Sequence, residues 1–348
     1  MTETHGLDSM TAPHRRRILD VHTHATGFDL LNLARRRYPT SQSVLDLADR
    51  LAWNGVDYAA CYPIMTPFSY DLNGMARGIE APGGPEEYPY AMVNAQHLYE
   101  CAYFGTGRIL PFLAIDPSSS VIRQADYVRA MNDVVFGLKY HSKTSNSHPQ
   151  SLITSGFLTL AHELDLPITA HSARTPSNCD PESVIFVARA GGAVRVNVAH
   201  AAAFQDTSLR LIRDTPNLFV DCAPWLTNLD SVDPEWPDLC PLTYADPAQA
   251  LYDLYEKVPE SLMWGTDTPW TSYADRSGAV VSRHSYEDEV GILRSLPTEV
   301  QEKIAWINPC RWLFGTTDEA VIGRVIERRL SSLATHTTVA LSDDPLDE

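Results

Sequence analysis

Short runs of apolar and β-branched residues recur along the chain, each bounded by residues that favour turns. Runs that are nearly continuous in their hydrophobicity are typical of strands in a parallel sheet covered on both faces. The pattern predicts eight strands, over residues 18–25, 57–63, 109–116, 134–141, 166–173, 194–201, 218–224 and 262–270.

Segments with helical spacing lie between these strands, over 43–55, 151–165, 181–192 and 208–215. Alternation of strands and helices occurs in doubly wound sheets and in (β/α)8 barrels. Eight units favour the barrel, and no GxGxxG motif follows the first strand to support a dinucleotide-binding sheet. The pattern therefore predicts an α/β fold of the (β/α)8 TIM-barrel type.

Long segments follow three of the predicted strands, at 64–90, 225–245 and 271–284. Loops after strands lie at the C-terminal face of a barrel, where active sites are built, so we expect lids or substrate walls there.

The chain divides into three parts by composition. We expect a flexible N-terminal segment over 1–16, the barrel over 17–315, and a helix followed by a disordered acidic tail over 316–348.

Charge and cysteine usage limit the classes of partner. The formal net charge of -17 argues against a nucleic-acid surface, which would be basic, and no polybasic segment serves an anionic membrane. Six cysteines without a CxxC pair are typical of a reducing compartment, and the N-terminal segment lacks the apolar core of a secretory signal. These features predict a cytoplasmic protein that binds neither nucleic acid nor membranes.

The strongest local signal is the pair His22 and His24 at the end of the first predicted strand. Residues two apart on a strand point to the same side, so both imidazoles would face the barrel interior. Two buried imidazoles need hydrogen-bonding partners or a metal ion. Asp20 shares their face one step lower.

Ionisable residues end four other predicted strands. Lys139 and His141 end the fourth, His171 the fifth, His200 the sixth and Asp267 the eighth. In a closed barrel all of them converge on one mouth. Histidines together with a carboxylate suit Zn²⁺ or another first-row divalent ion, whereas a purely structural explanation needs several buried charges without a role.

The order of these motifs resembles that of the amidohydrolase superfamily. More narrowly, the chain is similar to the amidohydrolase-2 family, which includes metal-dependent decarboxylases similar to aminocarboxymuconate-semialdehyde decarboxylase. The similar segments are GLKYH, LPITAHSA, WGTDTPW and NPCRWLFG, and the resemblance covers about residues 17–315. It implies a metal-dependent barrel enzyme with a small-molecule substrate, and it is compatible with a homodimer.

Carried over position by position, the resemblance implies four metal ligands: His22, His24, His171 and Asp267. It implies one divalent ion, for which zinc is the expected identity and manganese the alternative.

Two residues have alternative roles under the resemblance. His200 is the catalytic or substrate-polarising histidine of a one-metal site, or a ligand in a two-metal site. Lys139 binds substrate, which we favour, or is carbamylated and bridges two metals. His141 is then a second substrate contact.

Two reactions fit such a site. The first is hydrolysis of a C–N or C–O bond in an amide, cyclic amide or lactone, with Asp267 as general base and His200 stabilising the developing oxyanion. Asp20 would support this site by accepting an imidazole N–H. The alternative is non-oxidative decarboxylation of an aromatic or unsaturated carboxylate. The decarboxylases carry a glycine-rich run after the sixth-strand histidine, and the HAAAF segment here favours hydrolysis.

Loop residues supply candidates for substrate binding, with His141, Arg174 and Trp270 as the expected contacts. Arg77 and Arg276 are further candidates to pair with a substrate carboxylate, or they are simply solvated. Aromatic residues near the mouth either form a wall for a planar substrate or pack the loops together. They are Tyr62, Phe68, Tyr70, Tyr88, Tyr90, Trp225, Trp236 and Trp270.

Overall fold

The computed structural model describes residues 16–25, 42–65, 90–174, 177–230, 244–274 and 280–342. Within these ranges eight parallel strands form one sheet in sequential order. They are β1 (Leu19–His24), β2 (Tyr58–Tyr62), β3 (Ile109–Ile115), β4 (Gly137–Tyr140), β5 (Ile168–Ala170), β6 (Val196–Val198), β7 (Leu218–Asp221) and β8 (Leu262–Met263).

Backbone hydrogen bonds join the first strand to the segment that begins at β8. Val21 N donates to Trp264 O at 3.2 Å, and Asp267 N donates to His22 O at 2.7 Å. The eight parallel strands and their alternating helices confirm the predicted (β/α)8 barrel.

Helices cover the outside of the barrel and its base. They are α1 (Val44–Trp53), α2 (Ala91–Phe104), α3 (Val121–Ala130), α4 (Ser151–Thr154), α5 (Phe157–Glu163), α6 (Pro181–Ala190), α7 (Asp206–Arg213), α8 (Trp225–Asp230), α9 (Pro247–Lys257), α10 (Tyr286–Ser295), α11 (Thr298–Glu302), α12 (Asn308–Phe314) and α13 (Glu319–Ser342). A π-helical turn over Lys303–Ile307 joins α11 to α12, and an antiparallel hairpin of β9 (Ser272–Ala274) and β10 (Val280–Arg283) precedes α10. None of the described helices has both the length and the apolarity to cross a membrane.

Side-chain caps determine where several helices begin. Ser43 and Asp46 form a capping box at the start of α1, and Ser285 and Asp288 form another at the start of α10. Each box satisfies backbone N–H groups that have no partner within the first turn.

Most predicted strands are shorter in the structure, and two predicted elements differ for local reasons. The helix predicted over 151–165 is interrupted at Gly156, whose φ of +80° is a left-handed conformation that glycine adopts without strain. The strand predicted over 262–270 ends at Met263, and it could not have continued past Asp267, whose φ of +55° a regular strand cannot contain.

The barrel interior is filled by apolar side chains that continue into the C-terminal helices. The rings of Phe112 in β3 and Trp312 in α12 stack with centroids 5.7 Å apart, and Ile322 and Ile326 of α13 belong to the same cluster. The base of the barrel is therefore closed by α12 and α13. The predicted tail over 343–348 and residues 1–15 of the predicted flexible segment lie outside the described residues.

Candidate metal centre

Three of the predicted ligands meet at the C-terminal end of β1. His22 Nε2 and His24 Nε2 each lie 3.3 Å from Asp267 Oδ1, and all three residues are buried. Their ligand atoms lie within 4.8 Å of one another. The strand periodicity explains the histidine pair, because both rings point into the barrel from one strand.

Asp267 reaches this position through the segment that follows β8. At Gly265 an added Cβ would lie 2.8 Å from the Cβ of His22, so only glycine allows the two segments to approach this closely. Thr266 anchors the segment from below, with its N and Oγ1 donating to the carboxylate of Asp20 at 3.1 and 2.8 Å. Asp20 thus accepts backbone and hydroxyl donors, and its predicted contact with an imidazole N–H was wrong.

The carboxylate that accepts the imidazole N–H is Asp221, which ends β7. Its Oδ2 lies 2.9 Å from His22 Nδ1 and accepts a 2.6 Å hydrogen bond from Asn197 Nδ2. Its Oδ1 accepts from the backbone N–H groups of His200 and Ala223 at 3.0 and 3.1 Å. Asp221 was not among the residues predicted from the sequence, because nothing in LFVD marks this aspartate as a partner of His22.

The other three predicted histidines form a second group next to this cluster. His171 Nδ1 lies 2.9 Å from His200 Nε2, and the His171 ring stacks on that of His141 with centroids 4.0 Å apart. The second ring nitrogen of His200, Nδ1, lies 2.6 Å from the carbonyl oxygen of Ala223. His171 thus lies next to His200, and it is not part of the cluster that His22, His24 and Asp267 form.

Lys139 lies on the floor of the site. Its side chain is only 1% exposed, and its Nζ lies 3.0 Å from His22 Nε2 and 4.5 Å from the centre of the Tyr62 ring. Tyr62 is held from below, because its hydroxyl contacts Val21 O at 2.6 Å and Thr169 Oγ1 at 2.8 Å. The lysine amine therefore faces the ligand nitrogen of His22.

Burial controls the protonation of these groups. Burial and the nearby Lys139 lower the pKa of His22 to about 4 and keep that of His24 well below its ordinary value. Burial, followed by His141, does the same for the pKa of His171. Burial also lowers the pKa of Lys139 to about 8. At neutral pH the histidines are neutral, which is the form that binds metal ions.

For Asp221, interactions with neighbouring groups outweigh the effect of burial on the pKa. Burial alone would raise its pKa, but the adjacent His22 and the hydrogen bonds that the carboxylate accepts bring the pKa below the ordinary value. Asp221 is therefore a carboxylate that acts only as a hydrogen-bond acceptor.

The donor set fits a divalent metal ion. Two neutral imidazole nitrogens and one carboxylate oxygen are a ligand combination found in zinc and other first-row metal sites. Asp267 Oδ1 is buried and accepts no hydrogen bond from the described residues, so a cation would compensate its charge. By contrast, the group of His22, His200 and Asp221 is already occupied by internal hydrogen bonds.

The expected substrate contacts occupy different positions. Arg174 is half-buried, and its Nε donates to the carbonyl oxygen of Ala203 at 3.1 Å. Trp270 is half-buried, with its ring 6.2 Å from that of His24. Among the other aromatic candidates, Tyr62, Tyr90 and Trp225 are buried packing residues. Phe68, Tyr70, Arg77, Tyr88, Trp236 and Arg276 lie outside the described residues.

The segment after β6 has an unusual backbone. All five residues of His200–Phe204 have φ between +49° and +61°, a left-handed turn that glycine adopts most readily. The HAAAF segment therefore departs from the expected glycine-rich run in residue type, while it adopts a backbone shape that glycine favours.

Comparison with known proteins agrees with this fold. A family model described as amidohydrolase matches residues 20–315. No curated protein sequence matches the chain. Similar solved structures include a putative amidohydrolase from Staphylococcus aureus, at 12% identity and a TM-score of 0.54, covering 85% of this chain and 99% of that one.

Two further structures show the same likeness. IDCase from Metarhizium anisopliae in apo form has 12% identity and a TM-score of 0.52, with coverage of 85% of this chain and 97% of that one. The 4-oxalomesaconate hydratase from Rhodopseudomonas palustris has 13% identity and a TM-score of 0.52, with coverage of 88% and 98%. At these identities the structures share the fold, whereas the family model spans most of the chain. The chain therefore belongs to the amidohydrolase family, and within it to the enzymes of the amidohydrolase-2 family.

Proposed function

We propose that this chain is a metal-dependent hydrolase that cleaves a C–N or C–O bond of a small-molecule amide, cyclic amide or lactone. The observation that carries the proposal is the buried cluster of His22, His24 and Asp267 at the C-terminal face of the barrel. A divalent ion held there would lower the pKa of water toward neutrality and polarise a carbonyl group. His171 is the proposed fourth ligand, and zinc the proposed ion, with manganese as the alternative.

Asp267 is the proposed general base. Its Oδ1 faces His22 and His24, while its Oδ2 lies 4.0 Å from His200 Nδ1 on the other side of the carboxylate. One oxygen is thus directed at the two histidines, and the second is the one that we propose takes a proton from water and returns it to the leaving group.

Lys139 and His141 are the proposed substrate contacts. Because Lys139 Nζ lies 3.0 Å from His22 Nε2, any substrate oxygen that it binds must lie beside the ligand cluster. The ring of His141 stacks on that of His171, the proposed fourth ligand, so a substrate that contacts His141 also lies beside the metal site. Trp270, near His24, is the proposed aromatic contact.

His200 is less suited to donate to substrate than the sequence suggested. Its Nδ1 faces the Ala223 carbonyl and its Nε2 faces His171, so both ring nitrogens already have partners. We therefore propose a supporting role for His200 in place of oxyanion stabilisation, while Asp267 keeps its proposed role as general base.

Decarboxylation of an aromatic or unsaturated carboxylate is the second candidate function. The argument against it from sequence was the absence of glycines after His200. The left-handed turn over His200–Phe204 adopts the backbone that glycines favour, so the residue difference does not exclude this reaction.

Metal content and product analysis test the proposal together. Protein purified without added metal is expected to carry about one zinc or manganese ion per chain and to hydrolyse members of a panel of amides, cyclic amides and lactones. Asp267→Asn should reduce turnover by about 10²–10⁴-fold with the fold preserved. Asp116→Asn, which changes a buried aspartate after β3 that contacts Ser118, is the matched control.

The outcomes separate the two functions. Hydrolysis that survives complete removal of the metal, or near-normal turnover by Asp267→Asn, would contradict the proposal. Release of CO₂ from an aromatic carboxylate in place of hydrolysis would establish the second candidate.

A further inference from the structure

We infer that Asp221 is a positioning residue that sets the ring tautomers of the ligand histidines, acting on His22 directly and on His171 through His200. The inference rests on the proposed function, because it concerns how these histidines present their nitrogen atoms to a metal ion. The protonated nitrogen of each ring is inferred from neighbouring groups that can only accept or only donate a hydrogen bond.

The tautomer of His22 is determined by partners on both sides of its ring. Asp221 Oδ2, at 2.9 Å, can only accept, so His22 Nδ1 must carry the proton. Lys139 Nζ, at 3.0 Å from Nε2, supplies a donor to the other nitrogen. His22 Nε2 therefore holds a lone pair, and it is the nitrogen that lies 3.3 Å from Asp267 Oδ1.

The tautomer of His171 follows through one intermediate ring. The Ala223 carbonyl, 2.6 Å from His200 Nδ1, can only accept, so that nitrogen carries the proton of His200. In a neutral ring His200 Nε2 is then an acceptor, and His171 Nδ1, at 2.9 Å, must donate to it. The lone pair of His171 that remains available to a metal ion is therefore on Nε2.

The ring of His200 is oriented by its contact with the carbonyl of Ala223, and Asp221 accepts hydrogen bonds from the backbone of both residues. Its Oδ1 accepts from the backbone N–H of His200 and from that of Ala223, whose carbonyl binds the His200 ring. Asn197 occupies the remaining position on Oδ2. Four donors thus converge on one carboxylate, which joins the ends of β6 and β7 to His22 in β1.

Replacing Asp221 tests whether these tautomers depend on it. Asp221→Asn keeps the shape but can place an amide N–H opposite His22 Nδ1, where only an acceptor fits. In metalloproteins generally, loss of the hydrogen-bond partner of a ligand histidine weakens metal binding about 10–100-fold. Nitrogen-15 NMR of metal-free, histidine-labelled protein reports the tautomers without any requirement for activity.

We expect His22 and His171 of the wild type to be Nδ1–H tautomers, and both signals to change in Asp221→Asn, with zinc affinity reduced about 10–100-fold. His200→Phe, which removes only the acceptor of His171, should change the His171 signal and leave that of His22. Asp116→Asn should change neither. His200→Phe also provides a readout if Asp221→Asn does not fold.

Two results would overturn the inference. One is an Nε2–H tautomer for His22 or His171 in the wild type. The other is an unchanged tautomer pattern and zinc affinity in Asp221→Asn. If wild-type protein bound neither zinc nor manganese, the proposed function would fail, while the NMR signals would still decide the role of Asp221.

Discussion

Glu289 is a buried carboxyl group on α10 that makes the stability of the protein depend on pH. Its Oε1 accepts a 3.0 Å hydrogen bond from Leu226 N, and its Oε2 accepts none from the described residues. Burial raises the pKa of Glu289 from its ordinary value of 4.5 to about 8. The folded protein keeps a proton that the unfolded chain releases above its ordinary pKa, so stability must fall as pH rises from about 4.5 to 8.

The size of the effect follows from the difference between these two pKa values. Each pKa unit corresponds to 1.36 kcal/mol of differential interaction. Between pH 5 and pH 8 the wild type should therefore lose about 3–4 kcal/mol of stability through Glu289 alone, with less than about 1 kcal/mol of further loss above pH 8. Glu289→Gln keeps the acceptor for Leu226 and cannot ionise, so it removes this loss.

Urea unfolding of wild type and Glu289→Gln at pH 5, 6, 7 and 8 measures the difference. The variant should gain about 3–4 kcal/mol relative to wild type across this range, which is roughly 1 M in the urea midpoint for a slope of about 3 kcal/mol/M. Glu287→Gln changes an exposed carboxylate of the same helix and should shift the curve by less than about 1 kcal/mol. Parallel pH profiles for wild type and Glu289→Gln would refute the reasoning.

Two further changes test the packing of the barrel. Deleting residues 316–348 removes the buried side chains of Ile322, Ile326 and Leu333, so urea unfolding should show a loss of about 5 kcal/mol or more; an unchanged midpoint would show that α13 does not stabilise the base. Ala202→Val places a β-branched residue in the buried left-handed turn and should cost about 3 kcal/mol in the same assay. Ala202→Gly should change stability by less than about 1 kcal/mol, because relief of the left-handed backbone is offset by loss of a buried methyl group and by the freer unfolded chain; equal effects of valine and glycine would contradict this explanation.

The strands were predictable because each carries its own signal. A strand covered on both faces must be apolar along its length, so runs such as 109–116 stand out without knowledge of their neighbours. The histidine pair was predictable for the same reason, because the spacing of His22 and His24 on one strand places both rings in the interior. The convergence of Asp267 on them required only that eight units close into a barrel.

Asp221 was not predictable in this way. Its principal partner, His22, is 199 positions away along the chain, and nothing in LFVD distinguishes this aspartate from a capping residue after a strand. The left-handed turn after β6 is equally hidden, because alanines carry no local preference for positive φ. The length of β8 depended on the conformation of Asp267, which is set by its contact with β1.

The seam between β1 and the segment after β8 has a consequence for the order of events during biosynthesis. Asp20 and Thr266, which join across it, are separated by 246 positions, and the ligand cluster spans the same seam. A nascent chain emerging from the ribosome therefore lacks the complete cluster until its final strand has been made. The carboxylate ligand and the two histidine ligands can therefore meet only after almost four-fifths of the chain has been synthesised.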